Sequence, residues 1–229
     1  MISVWSCLRE GVDVLVRRLP LLLGAWLVIL AVQQAIDLVA PAVGPWAWLN
    51  LVLSLALLSP LYAGQYVLVL RVVRVEPARF RDLFRGFSRW GTIAVVSVLT
   101  VLAVAGGFVL FVIPGIVFAL MFAWAPIVAL DPTGSGPDRR PGAVEAMRRS
   151  KELTSGYRGT LFGLSLLLSI PTIVLMFLVG LSAASSAPAI PPWAIEVFAL
   201  LSGTLFLGPL HAACYMVSYE AVSRLGRME

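Results

Sequence analysis

Charged side chains are scarce in this chain of 229 residues, because Asp, Glu, Lys and Arg together make up only 13% of it. A soluble domain typically contains about 25%. Hydrophobic residues make up 60% of the sequence, and the mean hydropathy is +0.95. So little polar surface cannot cover a water-soluble globule of this size. The composition therefore excludes a soluble or disordered protein and predicts an integral membrane protein.

Histidine and cysteine are also scarce, with one histidine and two cysteines in the whole chain. These numbers argue against a Cys/His metal site and against a disulfide framework. The sequence contains neither a phosphate-binding G-x-x-x-x-G-K-[ST] motif nor the metalloprotease motif H-E-x-x-H. We expect no catalytic residue, no metal and no cofactor, and we predict that the protein is not an enzyme.

Long apolar runs dominate what is present, and a helix needs about 20 apolar residues to cross a bilayer. Six segments meet or approach this length, and they predict an all-α bundle in a single membrane domain spanning residues 1–229. They are Leu19–Ala40, Trp46–Leu70, Gly91–Phe111, Pro114–Leu130, Gly159–Leu181 and Trp193–Val217. The third and fourth segments are nearly continuous, and Pro114-Gly115 is the predicted break between them. A cleaved signal peptide is the less favoured interpretation of the first segment, because polar residues interrupt it.

The basic residues test this count of spans. All 17 lie before the first span, after the sixth, or in the second and fourth connections, and none lies in the other three connections. Since Lys and Arg accumulate on the cytoplasmic side, the pattern predicts a six-span protein of a bacterial inner membrane with both termini in the cytoplasm. The net charge of +5 is therefore explained by topology and does not predict binding of nucleic acid.

Three similar units are apparent, covering about residues 1–74, 75–138 and 139–229. Each begins with an amphipathic stretch that we expect to lie in the plane of the cytoplasmic membrane surface. The predicted apolar stripes are Val4, Leu8, Val12, Leu15 and Leu19; Phe80, Leu83, Phe84, Phe87 and Trp90; and Val144, Met147 and Leu153. Each stretch places L-x-x-G shortly before a span, ending at Gly11, Gly86 and Gly156. The spans that return to the cytoplasm in the first and third units also share letters, in Leu58–Tyr66 and Leu207–Tyr215.

Several of these positions resemble the polytopic membrane domain attached to some bacterial glycerophosphodiester phosphodiesterases and its stand-alone relatives. The resemblance covers roughly Leu51–Leu168. The matching residues are Ser59-Pro60 with Gly64, Phe80 with Leu83-Phe84-Arg85-Gly86-Phe87, Pro114-Gly115, and Ala146, Arg149-Ser150, Leu153-Thr154 and Gly156. The longest stretch between predicted spans, Asp131–Arg158, is 28 residues, too short for a phosphodiesterase domain. The resemblance therefore implies a membrane architecture and no hydrolase activity.

Arginines in the amphipathic stretches form the first candidate site. Near a cytoplasmic leaflet, each arginine gains about 1 kcal/mol from anionic lipid headgroups. We expect these residues to bind anionic lipid or a protein partner, although simple anchoring and topology would require the same residues. The candidates are Arg79, Arg81, Arg85, Arg89, Arg148 and Arg149.

Polar residues within the spans form the second candidate site. Gln33, Asp37 and Asn50 lie near the predicted outer surface, Glu196 begins the sixth span, and His211 follows Pro209. They suggest a small-solute permease with a pocket in the outer leaflet, or equally hydrogen bonds between helices and with interfacial water. For His211 the plainer interpretation is a bond to a backbone carbonyl freed by the proline. A membrane subunit that regulates a separate phosphodiesterase is a third possibility, based on resemblance alone.

Overall fold

The structure, a computed structural model, describes residues 3–40, 44–131, 141–184 and 207–225. Every regular element within these ranges is helical. The helices are α1 (Val4–Arg17), α2 (Leu19–Val39), α3 (Ala47–Val73), a 3₁₀ helix (Phe80–Arg89) that continues into α4 (Trp90–Leu110), α5 (Val112–Leu130), α6 (Ala143–Thr154), α7 (Arg158–Ala184) and α8 (Gly208–Leu225).

Within the described residues, four helices are long and apolar enough to cross a membrane: α2, α3, the continuous helix Phe80–Leu110 and α5. Their bounds differ by at most three residues from four of the predicted spans, except that Phe80–Leu110 begins 11 residues before the predicted Gly91. The fifth predicted span corresponds to α7. Most of the sixth, Trp193–Val217, lies outside the described residues. The chain is thus a helical protein with the apolar helices of a membrane protein.

The break between α4 and α5 falls at Phe111, three residues before the predicted Pro114. Phe111 has extended backbone angles, with φ −166° and ψ 160°, while Pro114 is the third residue of α5. A proline fits the first turn of a helix because the N–H it lacks would have no partner there. Pro114 therefore begins the second helix and does not form the bend itself.

Pro60 marks an irregular turn within α3. It follows a π-helical turn over Ser54–Leu58, and because it has no N–H, the carbonyl of Ala56 loses its usual helical partner. The indole Nε1 of Trp90 donates a hydrogen bond of 2.7 Å to this carbonyl. An unpaired carbonyl is costly within a bilayer, so this bond fixes the start of α4 against the kink of α3.

Two glycines allow the 3₁₀ helix to touch α3 backbone against backbone. A Cβ at Gly64 would overlap the carbonyl oxygen of Leu83, and a Cβ at Gly86 would overlap the carbonyl oxygen of Pro60. Leu83 is fully buried in this contact. The Ser-Pro and L-x-x-G motifs of the sequence are thus two halves of one packing contact.

Each of the other two amphipathic stretches also packs on another helix. α1 lies against α8, where a Cβ at Gly11 would clash with Cys214. α6 lies against α5, where the hydroxyl of Ser150 donates a 2.7 Å hydrogen bond to the carbonyl of Met121. In all three cases the stretch is held by protein contacts as well as by any contact with the membrane.

The buried face of α1 agrees only in part with the predicted stripe. Leu15 of the stripe is buried together with Cys7, Gly11 and Val14, while Val12, another member of the stripe, is 43% exposed. The prediction was wrong at Val12 because it gave no weight to Gly11, whose missing side chain allows the approach of α8.

Burial, followed by the nearby charge of Glu10, raises the pKa of the Cys7 thiol above its ordinary value.

The core forms where α3, α5 and α8 meet near their ends. Trp124 and Tyr219 are almost fully buried there and make an edge contact with their ring centroids 5.7 Å apart. α2, α4 and α7 expose many apolar side chains, as expected of helices in contact with lipid.

Candidate lipid-binding face and buried polar sites

The 3₁₀ helix has two distinct faces, because side chains three residues apart lie on the same side. Leu83 and Gly86 are buried on one face. Phe84, Phe87 and Trp90 follow one another at this spacing on another face and are 38–49% exposed, while Phe80, three residues before Leu83, is 41% exposed. The predicted stripe therefore divides, with Leu83 packed against α3 and the aromatic residues on the surface of the protein.

With 3.6 residues per turn, Asp82 is expected on the polar face, opposite the predicted apolar stripe of this stretch. In the structure it is only 1% exposed. Its carboxylate accepts hydrogen bonds from Nη1 of Arg71 at 3.0 Å and from the backbone N–H of Arg79 at 2.9 Å. Arg85 completes the group with an ion pair at 3.0 Å. Asp82 therefore fixes the start of the 3₁₀ helix to the end of α3, and Arg85 is occupied in holding it.

Arg89 has a structural role as well. Its Nη1 donates to the carbonyl oxygens of Ala129, at 2.6 Å, and Pro141, at 3.0 Å. These bonds satisfy a carbonyl in the last turn of α5 and join it to the segment before α6. Because its Nη1 already donates to these two carbonyls, Arg89 has fewer N–H groups left with which to bind a lipid headgroup.

Arg79 and Arg81 differ from these two arginines. Both are exposed, and neither guanidinium forms a hydrogen bond or an ion pair with a described residue. They flank the exposed ring of Phe80. Of the four arginines predicted in this stretch, these two present free cations beside an aromatic surface.

Arg148 and Arg149 of α6 share Glu145. The carboxylate accepts from Nε of Arg149 at 2.8 Å and from Nε of Arg148 at 3.1 Å. These bonds, first from Arg149 and then from Arg148, lower the pKa of Glu145. The pairs are largely exposed and contribute little to stability.

Three of the predicted pocket residues do meet. Nε2 of Gln33 donates to Asp37 at 3.0 Å, and Nδ2 of Asn50 donates to Asp37 at 2.8 Å and to the carbonyl of Ala40 at 2.6 Å. These bonds join the end of α2 to the beginning of α3. The carboxylate is thus used in a contact between helices. Glu196, the fourth candidate, lies outside the described residues.

His211, the fifth candidate, lines a different site. Its ring stacks on Tyr215, with centroids 4.8 Å apart, and borders a cavity of about 530 Å³. Of Gln33, Asp37 and Asn50, none lines this cavity. The four predicted residues that the structure describes therefore do not lie in one pocket.

The same cavity is bordered by polar groups that the sequence did not single out. Gln65 is only 1% exposed, and neither its Oε1 nor its Nε2 has a partner among the described residues. The indole Nε1 of Trp26 is likewise buried without a described partner. The tyrosines of α3, Tyr62 and Tyr66, also face the cavity.

A buried ionic cluster at the ends of α3, α5 and α8 was also missed. Arg74 binds Asp131 through both terminal nitrogens, at 3.2 and 2.8 Å, and Glu220 through Nε at 2.7 Å. Tyr219 donates to Asp131 at 3.1 Å, and Arg224 donates to Glu220 at 2.8 Å. Burial alone would lower the pKa of Arg74, but its hydrogen bonds to Asp131 and then to Glu220 raise it. This cluster ties together three helices from distant parts of the chain.

Comparison with known proteins adds no relative. No family model matches the chain, and no curated protein or solved structure matches it significantly.

Proposed function

We propose that this chain is a non-catalytic membrane protein of the bacterial inner membrane that binds anionic lipid headgroups at the cytoplasmic surface through its 3₁₀ helix. The observation that carries the proposal is the pairing of two exposed arginines, Arg79 and Arg81, with exposed aromatic side chains on the same short helix; neither arginine has a carboxylate partner among the described residues. Aromatic rings favour the boundary between headgroups and acyl chains, and guanidinium groups bind phosphate.

The proposal narrows the predicted set of six arginines to two. Arg85 holds Asp82, Arg89 binds backbone carbonyls, and Arg148 with Arg149 holds Glu145. An arginine already bound to a carboxylate gains less from a phosphate, because the new contact replaces an existing one. Lipid is favoured over a protein partner because the exposed aromatic residues directly precede an apolar helix.

The topology that belongs to this function has six spans, both termini in the cytoplasm and three units of amphipathic helix followed by two spans. It is supported by the distribution of the 17 basic residues and by the packing of α1 on α8, of the 3₁₀ helix on α3 and of α6 on α5. Labelling of single introduced cysteines in intact cells with a membrane-impermeant maleimide tests the orientation. Trp46→Cys should react from outside and Lys151→Cys should not, and the reverse pattern would contradict the topology.

The resemblance to the membrane domain of glycerophosphodiester phosphodiesterases fits a structural use of the shared motifs. Pro60, Gly64, Leu83 and Gly86 all lie in the contact between α3 and the 3₁₀ helix. Residues used in this way preserve an architecture and supply no reacting group.

Lipid retention measures the proposed binding. The protein is reconstituted in nanodiscs with equal amounts of phosphatidylcholine and phosphatidylglycerol, extracted into mild detergent, and the bound lipid is counted by native mass spectrometry. At about 1 kcal/mol per arginine, Arg79→Gln with Arg81→Gln should weaken binding of phosphatidylglycerol about 30-fold.

The matched control removes two other positive charges, in Arg148→Gln with Arg149→Gln. We expect this pair to retain phosphatidylglycerol nearly as the unchanged protein does. An equal loss in both double variants would show that net charge alone matters, and no loss in either would contradict lipid binding by the 3₁₀ helix.

A further inference from the structure

The amide of Gln65 is the starting point. Its side chain is only 1% exposed, lies in the middle of α3 and leaves both polar atoms without a partner among the described residues. A buried polar group left without a hydrogen bond destabilises the fold. Native proteins satisfy nearly all such groups, so an amide with two unsatisfied atoms indicates a partner that the chain itself does not provide.

The cavity beside Gln65 can hold such a partner. Its volume of about 530 Å³ is within the range of small-molecule sites, which run from about 300 to 1,000 Å³. Six of its lining residues carry polar or aromatic groups: Trp26, Tyr62, Gln65, Tyr66, Ser169 and His211. The remaining lining side chains are aliphatic or small. Together they form aromatic walls with polar groups at a few points.

The lining determines the charge of a suitable ligand. No Asp, Glu, Lys or Arg is among the described residues that border the cavity. A charged ligand would lose its hydration without gaining an opposite charge, which is unfavourable at the depth of membrane helices. The site therefore suits a neutral molecule.

The two free atoms of Gln65 determine its polar group. The carbonyl oxygen requires a donor and the NH₂ requires an acceptor. A hydroxyl group provides both a donor and an acceptor. An acyl chain would satisfy none of these atoms, so a lipid tail alone does not fit.

Access runs between α2 and α7. Both helices pack on α8 but make little contact with one another in the described part of the chain. Ile173, which borders the cavity on α7, is 59% exposed. Because this surface faces lipid in a membrane-spanning protein, the ligand enters from the bilayer.

Packing between α2 and α8 keeps the cavity open on the side opposite this entrance. A Cβ at Gly208 would overlap the indole ring of Trp26, so glycine at this position lets the ring lie against α8. The hydroxyls of Ser165 and Tyr215 are hydrogen-bonded at 2.6 Å, which fixes Tyr215 beneath the ring of His211. The aromatic walls are therefore held in place without a ligand.

From these observations we infer that the cavity between α2, α3, α7 and α8 binds a neutral, membrane-soluble ring compound bearing a hydroxyl group, with Gln65 as its hydrogen-bonding residue. This site is separate from the lipid-binding 3₁₀ helix, and neither depends on the other.

Three probes of the same ring size test the inference: 1-naphthol, which is neutral and hydroxylated; naphthalene, which has no polar group; and 1-naphthoate, which is charged. Binding is measured by fluorescence titration of the full chain in nanodiscs, with empty nanodiscs to subtract partition into lipid. The variant Gln65→Leu removes both free polar atoms at nearly constant volume. Gln34→Leu makes the same change at an exposed position of α2.

The unchanged protein and Gln34→Leu should bind 1-naphthol saturably, and Gln65→Leu should bind it at least tenfold more weakly. Naphthalene should bind weakly and equally to all three proteins, and 1-naphthoate should not bind. Absence of saturable binding of 1-naphthol, or an equal affinity for Gln65→Leu, would overturn the inference and indicate a cavity filled by water only. Binding of 1-naphthoate as tight as that of 1-naphthol would overturn the assignment of a neutral ligand.

Discussion

The ionic cluster at the ends of α3, α5 and α8 and the cavity beside Gln65 differ in how far their polar groups are paired. At the helix ends, Arg74 is saturated by Asp131 and Glu220. Beside the cavity, the amide of Gln65 has no described partner. Saturated polar groups stabilise a fold, whereas unsatisfied ones reduce stability and are expected where a ligand binds. The first region is therefore structural and the second is the better candidate for function.

Replacement of Arg74 should reduce the free energy of unfolding more than any other substitution proposed below. Arg74→Gln leaves the carboxylates of Asp131 and Glu220 buried without this guanidinium, which should cost about 3 kcal/mol or more. Unfolding by added SDS, followed by circular dichroism, measures the loss. Arg148→Gln is the control, since its ion pair is exposed and contributes little to stability. Equal stability of the two variants would contradict the structural role of the cluster.

The contact between α3 and the 3₁₀ helix is packed more tightly than the contact between α2 and α8 beside the cavity. Gly64→Ala pushes a methyl group into the rigid backbone at Leu83, while Gly208→Ala meets only the indole of Trp26, which borders free space. We expect a loss of about 3 kcal/mol for Gly64→Ala and about 1 kcal/mol for Gly208→Ala, measured by the same SDS titration.

Gly106→Ala is the control for these glycine variants, because a Cβ there meets nothing within 4 Å. It should be neutral or stabilising by up to about 1 kcal/mol. A larger loss for Gly208→Ala than for Gly64→Ala would show that the cavity region is the more rigid one.

Gln65→Leu should change stability in the direction opposite to the first two variants. Replacement of an unsatisfied buried amide by an apolar side chain of similar size should raise the free energy of unfolding by about 1 kcal/mol. Gln34→Leu, on the exposed side of α2, should leave it nearly unchanged. Destabilisation by Gln65→Leu in ligand-free nanodiscs would indicate that the amide is already satisfied, and the contrast between the two regions would fail.

The smallest effect is expected at Glu145, where pairing is exposed. Its pKa in the folded protein lies below the ordinary value of 4.5, so its contribution is present above that value and is lost as the pH falls through the folded pKa. Melting temperatures of the unchanged protein and of Glu145→Gln should therefore differ slightly at pH 7 and converge in more acidic solution. A difference that grows on acidification would contradict the assigned direction of the shift.

Hydropathy was sufficient to locate the four long apolar helices α2, α3, α4 and α5, because the length of an apolar run is a local property. The ionic cluster was not accessible in this way, since Arg74 meets residues 57 and 146 positions away. Gln65 stood within the segment Leu58–Tyr66 and was noticed only as part of a repeat. A single glutamine between tyrosines in an apolar helix is the signal that could have identified it.

Asp82 shows how the period of a helix changes a prediction. With 3.6 residues per turn it falls on the polar face, opposite Leu83 and Phe84. In the 3₁₀ helix the turn is tighter, and Asp82 lies beneath Arg71 while Phe84 faces outward. The sequence indicates an amphipathic segment in both cases, but only the structure shows which residues it exposes.

The packing of α1 against α8 constrains the order in which the protein assembles. The glycine face of the first helix is covered by a helix that the ribosome makes some 200 residues later. Until then Gly11 and Cys7 have no cover from their native neighbour, so final assembly must follow synthesis of α8 and cannot proceed strictly in the order of translation. A nascent chain halted before α8 would leave that face uncovered and accessible to membrane-bound proteases and insertases.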